Sequence, residues 1–355
     1  NGFSINNLHI NRPNNDNIGL FSIIENSYIK ELVLSGSNTQ LTGNYNVGLI
    51  AGRSNGSGEI DGVFLSGNVF GISNVGAVFG RTFSKQALSN IFSSANVTGN
   101  SNIGGVIGNS ENAGLNNVLV VGSVHGVSKT DGLIGWKTTL IAIDAYRVEN
   151  SFWSNDTTIL SGSGSITSNF YGIDFLKLQY YNQLGVSLEV ESSTRSNSDI
   201  TIQLYDDWPD NINTPVYWDF GDHHELPGLV LNGKLFRDSD ADGMLDANDE
   251  NPFDYDNDGI NDFYDAFPFV EIGQYIDNDH DGSPKICDLE CELIGLQEDP
   301  DDDIPYVNPL TNITTTSEDT GADTGAGSGS LYYLYFLILI LLNRRSLFNI
   351  RTLTL

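Results

Sequence analysis

Three related stretches decide the fold of the first half of the chain: NVGLIAG at residues 46–52, NVGAVFG at residues 74–80 and NIGGVIG at residues 102–108. Each lies 28 residues after the one before it. A weaker copy ends with GLIG at residues 132–135, and an earlier one begins at Asn17. A constant period of this length is typical of repeat proteins, in which one unit is too small to bury its own apolar face and stacks on its neighbours.

The repeat predicts an all-β fold, a parallel β-helix (solenoid) with one coil per 28 residues. The interior is expected to hold two apolar stacks: Ile50, Val78, Val106 and Leu133, then Val63, Ile91 and Val118. Asn46, Asn74 and Asn102 are predicted to form a ladder at one corner with the strand spacing of about 4.8 Å. The recurring glycines are expected at corners that need positive φ. A sandwich of hairpins is the alternative, but the turns are not of the two-residue hairpin type.

These repeats resemble the GLUG motif of large bacterial surface proteins, a G-L-[VI]-G run after N-[VI]-G. NSFWS at residues 150–154 and PVYWDFG at residues 215–221 resemble sequences that close such an array. The resemblance covers residues 17–232 and implies a surface protein with a repeat solenoid, which we assign to residues 1–154. Residues 155–236 are predicted to cap the open end of the solenoid. We expect a short helix at residues 170–184 in this region, and strands around residues 186–190 and 200–204.

The last third contains three runs of alternate aspartates that lead into a glycine, DSDADG, DYDNDG and DNDHDG. This spacing is typical of a twelve-residue Ca²⁺ loop, which takes ligands from positions 1, 3, 5, 7, 9 and 12. The predicted Ca²⁺ ligands are Asp238, Asp240, Asp242, Met244, Asp246 and Asp249 in the first loop, Asp254, Asp256, Asp258, Ile260, Asp262 and Asp265 in the second, and Asp277, Asp279, Asp281 and Asp288 in the third. Lys285 occupies the ninth position of the third loop, so we expect a weaker or differently coordinated site there. A disordered acidic tract is the alternative.

The first two loops start 16 residues apart, which leaves no room for the flanking helices of EF-hands or dockerins. This close packing resembles thrombospondin type 3 repeats and covers residues 238–303. The resemblance implies that residues 237–303 form a calcium-dependent stalk, in which the ions hold the fold. Cys287 and Cys291 are four residues apart and are predicted to form a disulfide, which suits an exported protein. The alternative is that both cysteines are free thiols with no role.

Residues 304–330 are rich in Thr, Ser, Gly and Asp, which predicts a flexible linker. An unbroken apolar run at residues 331–342 precedes Arg344 and Arg345, so residues 331–355 are predicted to form a hydrophobic anchor helix in the membrane. A buried core helix is the alternative. The order of linker, apolar run and basic end resembles the GlyGly-CTERM sorting signal of Gram-negative bacteria. That resemblance implies a sorting protease as a partner, although GAG stands here in place of a double glycine.

The formal net charge of −30 excludes nucleic acid as a partner. No G-x-S-x-G lies on a predicted strand-to-helix turn, no H-E-x-x-H occurs, and the adjacent His223 and His224 are poor co-ligands. Arg53 and Arg81 could stack as in a polysaccharide lyase, but they lack an aspartate ladder, which favours a plain surface ladder.

We therefore predict a non-enzymatic, exported protein of the cell surface or outer membrane. Its role is expected to be that of an adhesin or structural stalk, with an unidentified glycan or protein as its ligand. The alternative is the accessory C-terminal region of a surface hydrolase, either a peptidase or a polysaccharide-degrading enzyme. In that case the catalytic domain would precede residue 1, which agrees with a repeat that is already under way at Asn17.

Overall fold

The structure is a computed structural model. It describes residues 3–83, 85–137, 148–154, 158–159, 171–173, 178, 187–190, 200–205, 207–221, 225–265, 268–269, 276, 284–287 and 298. The predicted linker and anchor segment, residues 304–355, lie outside these residues, as do His223 and His224. The described part is nearly all β. Its helical residues are Leu178 and two short 3₁₀ turns, Asp246–Asn248 and Asp262–Tyr264.

The predicted parallel β-helix is confirmed, with about five turns. Each coil passes through four parallel sheets in the same order, which we call the first to the fourth sheet. The first sheet consists of Phe3–Asn6, Tyr28–Ser35, Gly58–Leu65, Gln86–Ser93, Ala113–Val120, Val148–Ser154 and Tyr171–Ile173. The second consists of His9–Asn11, Gln40–Thr42, Asn68–Phe70, Asn96–Thr98, Val124–His125 and Thr158–Ile159. The third consists of Tyr45–Val47, Ser73–Gly76, Ser101–Gly104 and Ser128–Asp131, and the fourth of Phe21–Glu25, Ala51–Asn55, Phe79–Thr82, Ile107–Ser110 and Ile134–Lys137.

Parallel pairing continues past residue 154, where the sequence placed the end of the solenoid. Tyr171–Ile173 pairs in parallel with the end of Val148–Ser154. In the segment predicted as a short helix, residues 171–173 are therefore a strand of the first sheet, Leu178 is helical, and the remainder lies outside the described residues. Antiparallel pairing of Ser187–Val190 with Ile200–Gln203 confirms the two strands predicted there.

The two interior stacks are confirmed by the register of the strands. Ile91 pairs with Val63 on one side and with Val118 on the other, and all three are fully buried. In the other stack, the amide of Val78 donates to the carbonyl of Val106 at 2.9 Å, and both side chains are fully buried. Each such aliphatic side chain contributes about 1.5–3 kcal/mol through burial, so the coils are held together mainly by apolar stacking.

The predicted asparagine ladder is also confirmed. The Asn74 side-chain amide donates to Asn46 Oδ1 at 2.8 Å, and the Asn102 amide donates to Asn74 Oδ1 at 2.8 Å. Asn17 extends the ladder by one coil, since it accepts from the Asn46 amide at 2.9 Å. These asparagines have φ between +56° and +59°, a left-handed conformation that asparagine tolerates better than most residues.

The expected positive φ at the recurring glycines is wrong, because asparagine supplies that conformation in the repeat. The repeat glycines are needed for a different reason, the close approach of the third and fourth sheets. A Cβ added at Gly80 would lie 2.3 Å from the Asn46 carbonyl carbon, and one at Gly108 would lie 2.3 Å from the Val75 nitrogen. No real side chain fits at such distances, so these positions admit only glycine.

A second hydrophobic layer covers the outer face of the first sheet. Large side chains of five successive coils point outward there: Val33, Phe64, Phe92, Leu119 and Phe152. They pack against a three-stranded antiparallel sheet, Val216–Asp219, Gly228–Leu231 and Lys234–Phe236, together with Tyr205 and Trp208. We call residues 205, 208–221 and 225–236 the side cover.

Aromatic contacts and two tryptophan hydrogen bonds fix the side cover in place. Phe64 and Phe92 stack with ring centroids 5.0 Å apart, and Phe236 lies 6.1 Å from Phe64. Trp218 Nε1 donates to Asn90 Oδ1 at 3.2 Å, and Trp208 Nε1 donates to the Asn150 carbonyl at 3.0 Å. The side cover, which was predicted as part of an end cap, therefore lies along the side of the solenoid, because the outward aromatic residues must themselves be buried.

Candidate metal centre

Residues 238–249, the first loop, and residues 254–265, the second loop, have the same backbone conformation. The fourth position has positive φ in both, +67° at Ala241 and +60° at Asn257. The sixth position does too, +96° at Gly243 and +98° at Gly259. Positions nine to eleven form a 3₁₀ turn in each. Nothing lies within 4 Å of a Cβ added at either glycine, so glycine is needed here for its φ and not for space.

The same five hydrogen bonds close both loops. The first three run from backbone amides to the aspartates at positions one, three and five. They are Gly243 to Asp238 at 3.2 Å, Asp242 to Asp240 at 3.0 Å and Met244 to Asp242 at 2.6 Å in the first loop, and Gly259 to Asp254 at 2.8 Å, Asp258 to Asp256 at 3.2 Å and Ile260 to Asp258 at 2.9 Å in the second. The repetition shows that the predicted twelve-residue frame is a real structural unit.

The other two bonds involve the aspartate at position nine. Its carboxylate accepts from the amide at position two, at 2.7 Å for Asp246 and 2.8 Å for Asp262. Its own amide donates to the carbonyl just before the loop, at 3.0 Å for Arg237 and 2.8 Å for Phe253. Position nine therefore ties the end of each loop to its beginning.

The structure brings two groups of predicted ligands together. Carboxylate oxygens of Asp238, Asp240 and Asp242 all lie within 4.8 Å of one another, and the same holds for Asp254, Asp256 and Asp258. These groups supply positions one, three and five of each frame. A cluster of this kind, made only of oxygen donors, suits a hard divalent cation.

The predicted ligands at the later positions stand beside these groups. Both oxygens of Asp246 accept hydrogen bonds from Ser239, so this carboxylate closes the loop. Asp249 lies near enough for its charge to act on Asp240 and Asp242. Asp265 follows the second 3₁₀ turn, and its backbone forms an isolated antiparallel β-bridge with Ile276. Met244 and Ile260 occupy position seven, where the ligand of a Ca²⁺ loop is the backbone carbonyl oxygen.

Several buried carboxylate oxygens accept no hydrogen bond. They include Asp262 Oδ2, in a residue that is 1% exposed. Asp249 Oδ2 and Asp256 Oδ2 are further examples. The Asp238 carboxylate is fully buried and has the Ser94 side chain as a hydrogen-bonding neighbour. An orphaned buried carboxylate oxygen is costly, and a cation between the carboxylates would give these oxygens a partner. The residues present therefore fit a bound metal ion.

Burial and mutual repulsion also disturb the ionisation of these groups. Burial raises the pKa of Asp238 well above its ordinary value, and the charge of Asp240 raises it further. Burial likewise raises the pKa of Asp240 and of Asp256, each to about 7, and the pKa of Asp262 to about 9. A divalent cation favours the ionised form of a carboxylate. It would therefore offset both the cost of burial and the repulsion between the carboxylates.

The first loop is built into the body of the protein. It follows the last strand of the side cover directly, and Asp238, Ser239, Asp240 and Ala241 are at most 2% exposed. Ala241 belongs to the aromatic cluster around Phe236, and Leu245 packs against that cluster. The sequence analysis missed this attachment, which is signalled only by the short distance between the cover strand and the first aspartate.

Arg237 is a second feature that the sequence analysis missed. Its guanidinium is 7% exposed and pairs with Asp219 and with Glu225, both in the side cover. Its carbonyl accepts from the Asp246 amide in the first loop. Arg237 thus links the cover to the loop from both its backbone and its side chain.

The two loops contact each other. The Asp254 amide donates to Asp240 Oδ2 at 3.3 Å, and the Asn257 amide group donates to Asp242 Oδ2 at 3.5 Å. Phe269, after the second loop, packs against the aromatic cluster of the cover and lies 5.0 Å from the Tyr255 ring. The second loop is therefore attached to the body through the first loop and through Phe269.

The third predicted loop cannot be placed, because Asp277, Asp279, Asp281 and Asp288 lie outside the described residues. Cys287 is described and is disulfide-bonded. Cys291, the only other cysteine in the sequence, lies outside the described residues. The Lys285 amide donates to the Ile276 carbonyl at 2.9 Å.

No protein-family model, curated protein or solved structure matches the chain. Within the described ranges, none of the helices has the length and apolar character needed to cross a membrane. The predicted anchor lies outside those ranges. Function must therefore be argued from the two loops, the solenoid and the side cover.

Proposed function

We propose that this chain belongs to a non-enzymatic protein of the bacterial cell surface, an adhesin or structural stalk whose β-solenoid is stabilised by Ca²⁺. The observation that carries the calcium part is the repeated loop: five equivalent hydrogen bonds, two carboxylate trios and buried carboxylate oxygens without partners. The surface part is supported by the solenoid and by the resemblances to GLUG repeats, thrombospondin type 3 repeats and a GlyGly-CTERM signal. That export signal implies a sorting protease and membrane contact through residues 331–342.

Calcium is the cation that the donor set favours. Each twelve-residue frame offers carboxylates at five positions and one backbone carbonyl at position seven. Such a set selects hard cations, and its several carboxylates suit Ca²⁺, which takes six to eight oxygen ligands. Mg²⁺ prefers fewer protein ligands and keeps more water. The proposed ligands are those of the first and second loops, with Met244 and Ile260 contributing carbonyl oxygens.

The position of the first loop gives the ion a structural role. Four of its residues are buried, Ala241 among them packs in the cluster that joins the side cover to the first sheet, and Arg237 links the loop to the cover. Without a cation, the repulsion between Asp238, Asp240 and Asp242 would act inside this packed region. We therefore assign to the first Ca²⁺ the fastening of the side cover onto the first sheet.

Calorimetric titration of the metal-free chain with Ca²⁺ tests the site. Asp242→Asn and Asp258→Asn each remove one carboxylate from a trio, and each should abolish or strongly weaken one binding event while leaving the other. Asp16→Asn, on an exposed corner far from the loops, is the matched control and should bind like the wild type. Titration with Mg²⁺ should give much weaker binding. Absence of Ca²⁺ binding by the wild type would refute the proposal.

Exposure on the cell is tested separately. Intact cells that produce the full-length protein should lose the solenoid to an added protease, while a cytoplasmic marker survives. Protection of the solenoid in intact cells, with cleavage after lysis, would contradict the surface location. This outcome would leave the calcium sites unaffected, so the two parts of the proposal fail independently.

A further inference from the structure

The outer face of the fourth sheet concentrates cationic side chains in a strongly acidic chain. The sequence has 16 lysines and arginines against 46 acidic residues. In the fourth sheet, one outward position aligns across five coils and carries Ile23, Arg53, Arg81, Asn109 and Trp136. We call this the fourth-sheet row. Its two arginines stand on neighbouring strands, and a lysine adjoins its last member.

Aromatic rings hold these cations in place. The guanidinium carbons of Arg53 and Arg81 lie 4.2 Å and 4.0 Å from the centre of the same Phe83 ring. At the other end of the row, Lys129 Nζ lies 3.8 Å from the centre of the Trp136 ring. Cations fixed in this way lose less conformational entropy when they bind a ligand than free side chains do.

Lys129 stands where the preceding coils carry the ladder asparagines. Its strand pairs in register with Ser101–Gly104, which places it opposite Asn102. It has φ +54°, a left-handed conformation that is unfavourable for lysine. The ladder corner imposes this conformation on every coil, so the fold holds Lys129 at this corner, beside the row.

The charges of the row are only partly neutralised. Arg53 Nε donates to Asn55 Oδ1 at 2.8 Å, and within the described residues no carboxylate forms an ion pair with Arg53. Arg81 pairs with Glu111 at 3.3 Å, and its side chain remains 32% exposed. The guanidinium of Arg53 is therefore available to an anionic group, and that of Arg81 is partly available.

We infer that the fourth-sheet row binds an acidic polysaccharide, with Arg53 and Arg81 holding carboxylates of successive sugars and Lys129 a further one. Guanidinium groups recognise carboxylates through paired hydrogen bonds, which suits the two arginines of the row. The inference deepens the proposed adhesin function, since it names the class of ligand.

The spacing of the cations in the row favours an acidic polysaccharide over nucleic acid. Neighbouring strands lie about 4.8 Å apart, so the row offers at most one cation per strand. Duplex DNA carries one charge per about 1.7 Å and requires a denser cationic surface. A sugar chain with a single carboxylate per unit is a much sparser anion, which suits a row of this kind on a chain with net charge −30.

The test is a binding measurement with polygalacturonate and with the same polymer after its carboxylates have been reduced to alcohols. The wild-type chain should bind the first and not the second, and added salt should weaken the binding. The double variant Arg53→Gln/Arg81→Gln should bind at least about tenfold more weakly, because each charged hydrogen-bond pair is lost. The control Arg12→Gln/Lys30→Gln removes the same charge from other faces of the solenoid and should bind like the wild type.

A third variant keeps the test decisive if the glutamine variant is unstable. Arg53→Lys/Arg81→Lys keeps both charges but loses the paired donors, and it should bind with intermediate strength. The inference would be overturned if the reduced polymer or duplex DNA bound as tightly as polygalacturonate. It would also be overturned if the Arg12/Lys30 control lost as much binding as the Arg53/Arg81 variant. Each of these results would leave Ca²⁺ binding and surface exposure standing, so the proposed function is tested separately.

Discussion

The solenoid and the two acidic loops are both built from sequence repeats, but opposite physics stabilises them. The solenoid repeat aligns apolar side chains such as Val63, Ile91 and Val118, which are fully buried in one continuous stack. The loop repeat aligns carboxylates, which are buried at a cost. A repeat of the first kind supplies its own stability, whereas for a repeat of the second kind we propose that a bound cation offsets the cost.

Glycine shows the same difference on a smaller scale. Gly80 in the solenoid is required because a Cβ would collide with the Asn46 backbone at 2.3 Å. Gly243 in the first loop has open space around its α-carbon and is required for its φ of +96°. The first glycine serves packing between strands, and the second serves the wrapping of backbone around carboxylates.

The largest effect of a single substitution is expected in the solenoid core. Ile91→Ala should lower the free energy of unfolding by about 2–5 kcal/mol, because it leaves a cavity in the central stack. The loss should be the same with Ca²⁺ and with chelator, since the site is held by apolar contacts. Chemical denaturation of the wild type and of Ile91→Ala, each with Ca²⁺ and with chelator, measures this loss. A loss that depends on Ca²⁺ would remove the distinction between the two regions.

A pH dependence should arise from Asp131 in the last coil of the third sheet. Burial raises the pKa of Asp131 to about 7. The folded protein therefore holds a proton that the unfolded chain releases, so stability is highest at low pH and falls as pH rises from about 4 to 7. The contribution amounts to at most about 4 kcal/mol. Asp131→Asn should abolish this slope relative to the wild type when both are unfolded at constant saturating Ca²⁺, and an unchanged slope would refute it.

The asparagine ladder should give a smaller effect. Asn74→Ala loses the bonds to Asn46 and Asn102 and places alanine at φ +56°. A loss of about 1–3 kcal/mol is expected. Asn74→Gly loses the same bonds but tolerates the φ, so it should be the milder variant in thermal unfolding. If glycine proved worse than alanine, the conformational explanation of the ladder would be incorrect.

The smallest effect is expected at the surface ion pair of the fourth sheet. Arg81 and Glu111 are 32% and 26% exposed in their side chains, so the pair is screened by water. Glu111→Gln should change stability by less than about 1 kcal/mol. A larger loss in denaturant unfolding would show that the fourth-sheet row is a structural element and would weaken its assignment as a binding surface.

The sequence predicted the solenoid because a 28-residue period leaves few other ways to share a core. It also predicted the ladder, since an asparagine at a constant position must face its copy in the next coil. The side cover was missed, although Val63, Phe64 and Leu65 form a continuous apolar run that indicates a strand buried on both faces. The partner of that outer face lies more than a hundred residues away in Trp218, and no local pattern connects the two.

The frame of the acidic loops was predicted from spacing alone, but the role of each carboxylate was not. Asp246 stands at a ligand position, yet both its oxygens accept hydrogen bonds from Ser239. Likewise, Arg237 looks like an isolated surface cation until the fold brings Asp219 and Glu225 to it. Such roles depend on atoms that are distant in sequence, and only the folded chain reveals them.

The central claim, that a cation in the first loop fastens the side cover to the solenoid, is tested most directly by removing Ca²⁺ while two signals are followed. Tryptophan fluorescence reports on Trp208 and Trp218 in the cover, over a background from Trp136 and Trp153 in the solenoid that should stay constant. Far-ultraviolet circular dichroism reports mainly on the solenoid strands. Each ion bound at a thousandfold excess over its dissociation constant stabilises by about 4 kcal/mol. Chelation should therefore shift the tryptophan emission to longer wavelength and lower the unfolding temperature of the cover, while the circular dichroism of the solenoid persists. Unchanged tryptophan emission and unfolding temperature after chelation would contradict the claim.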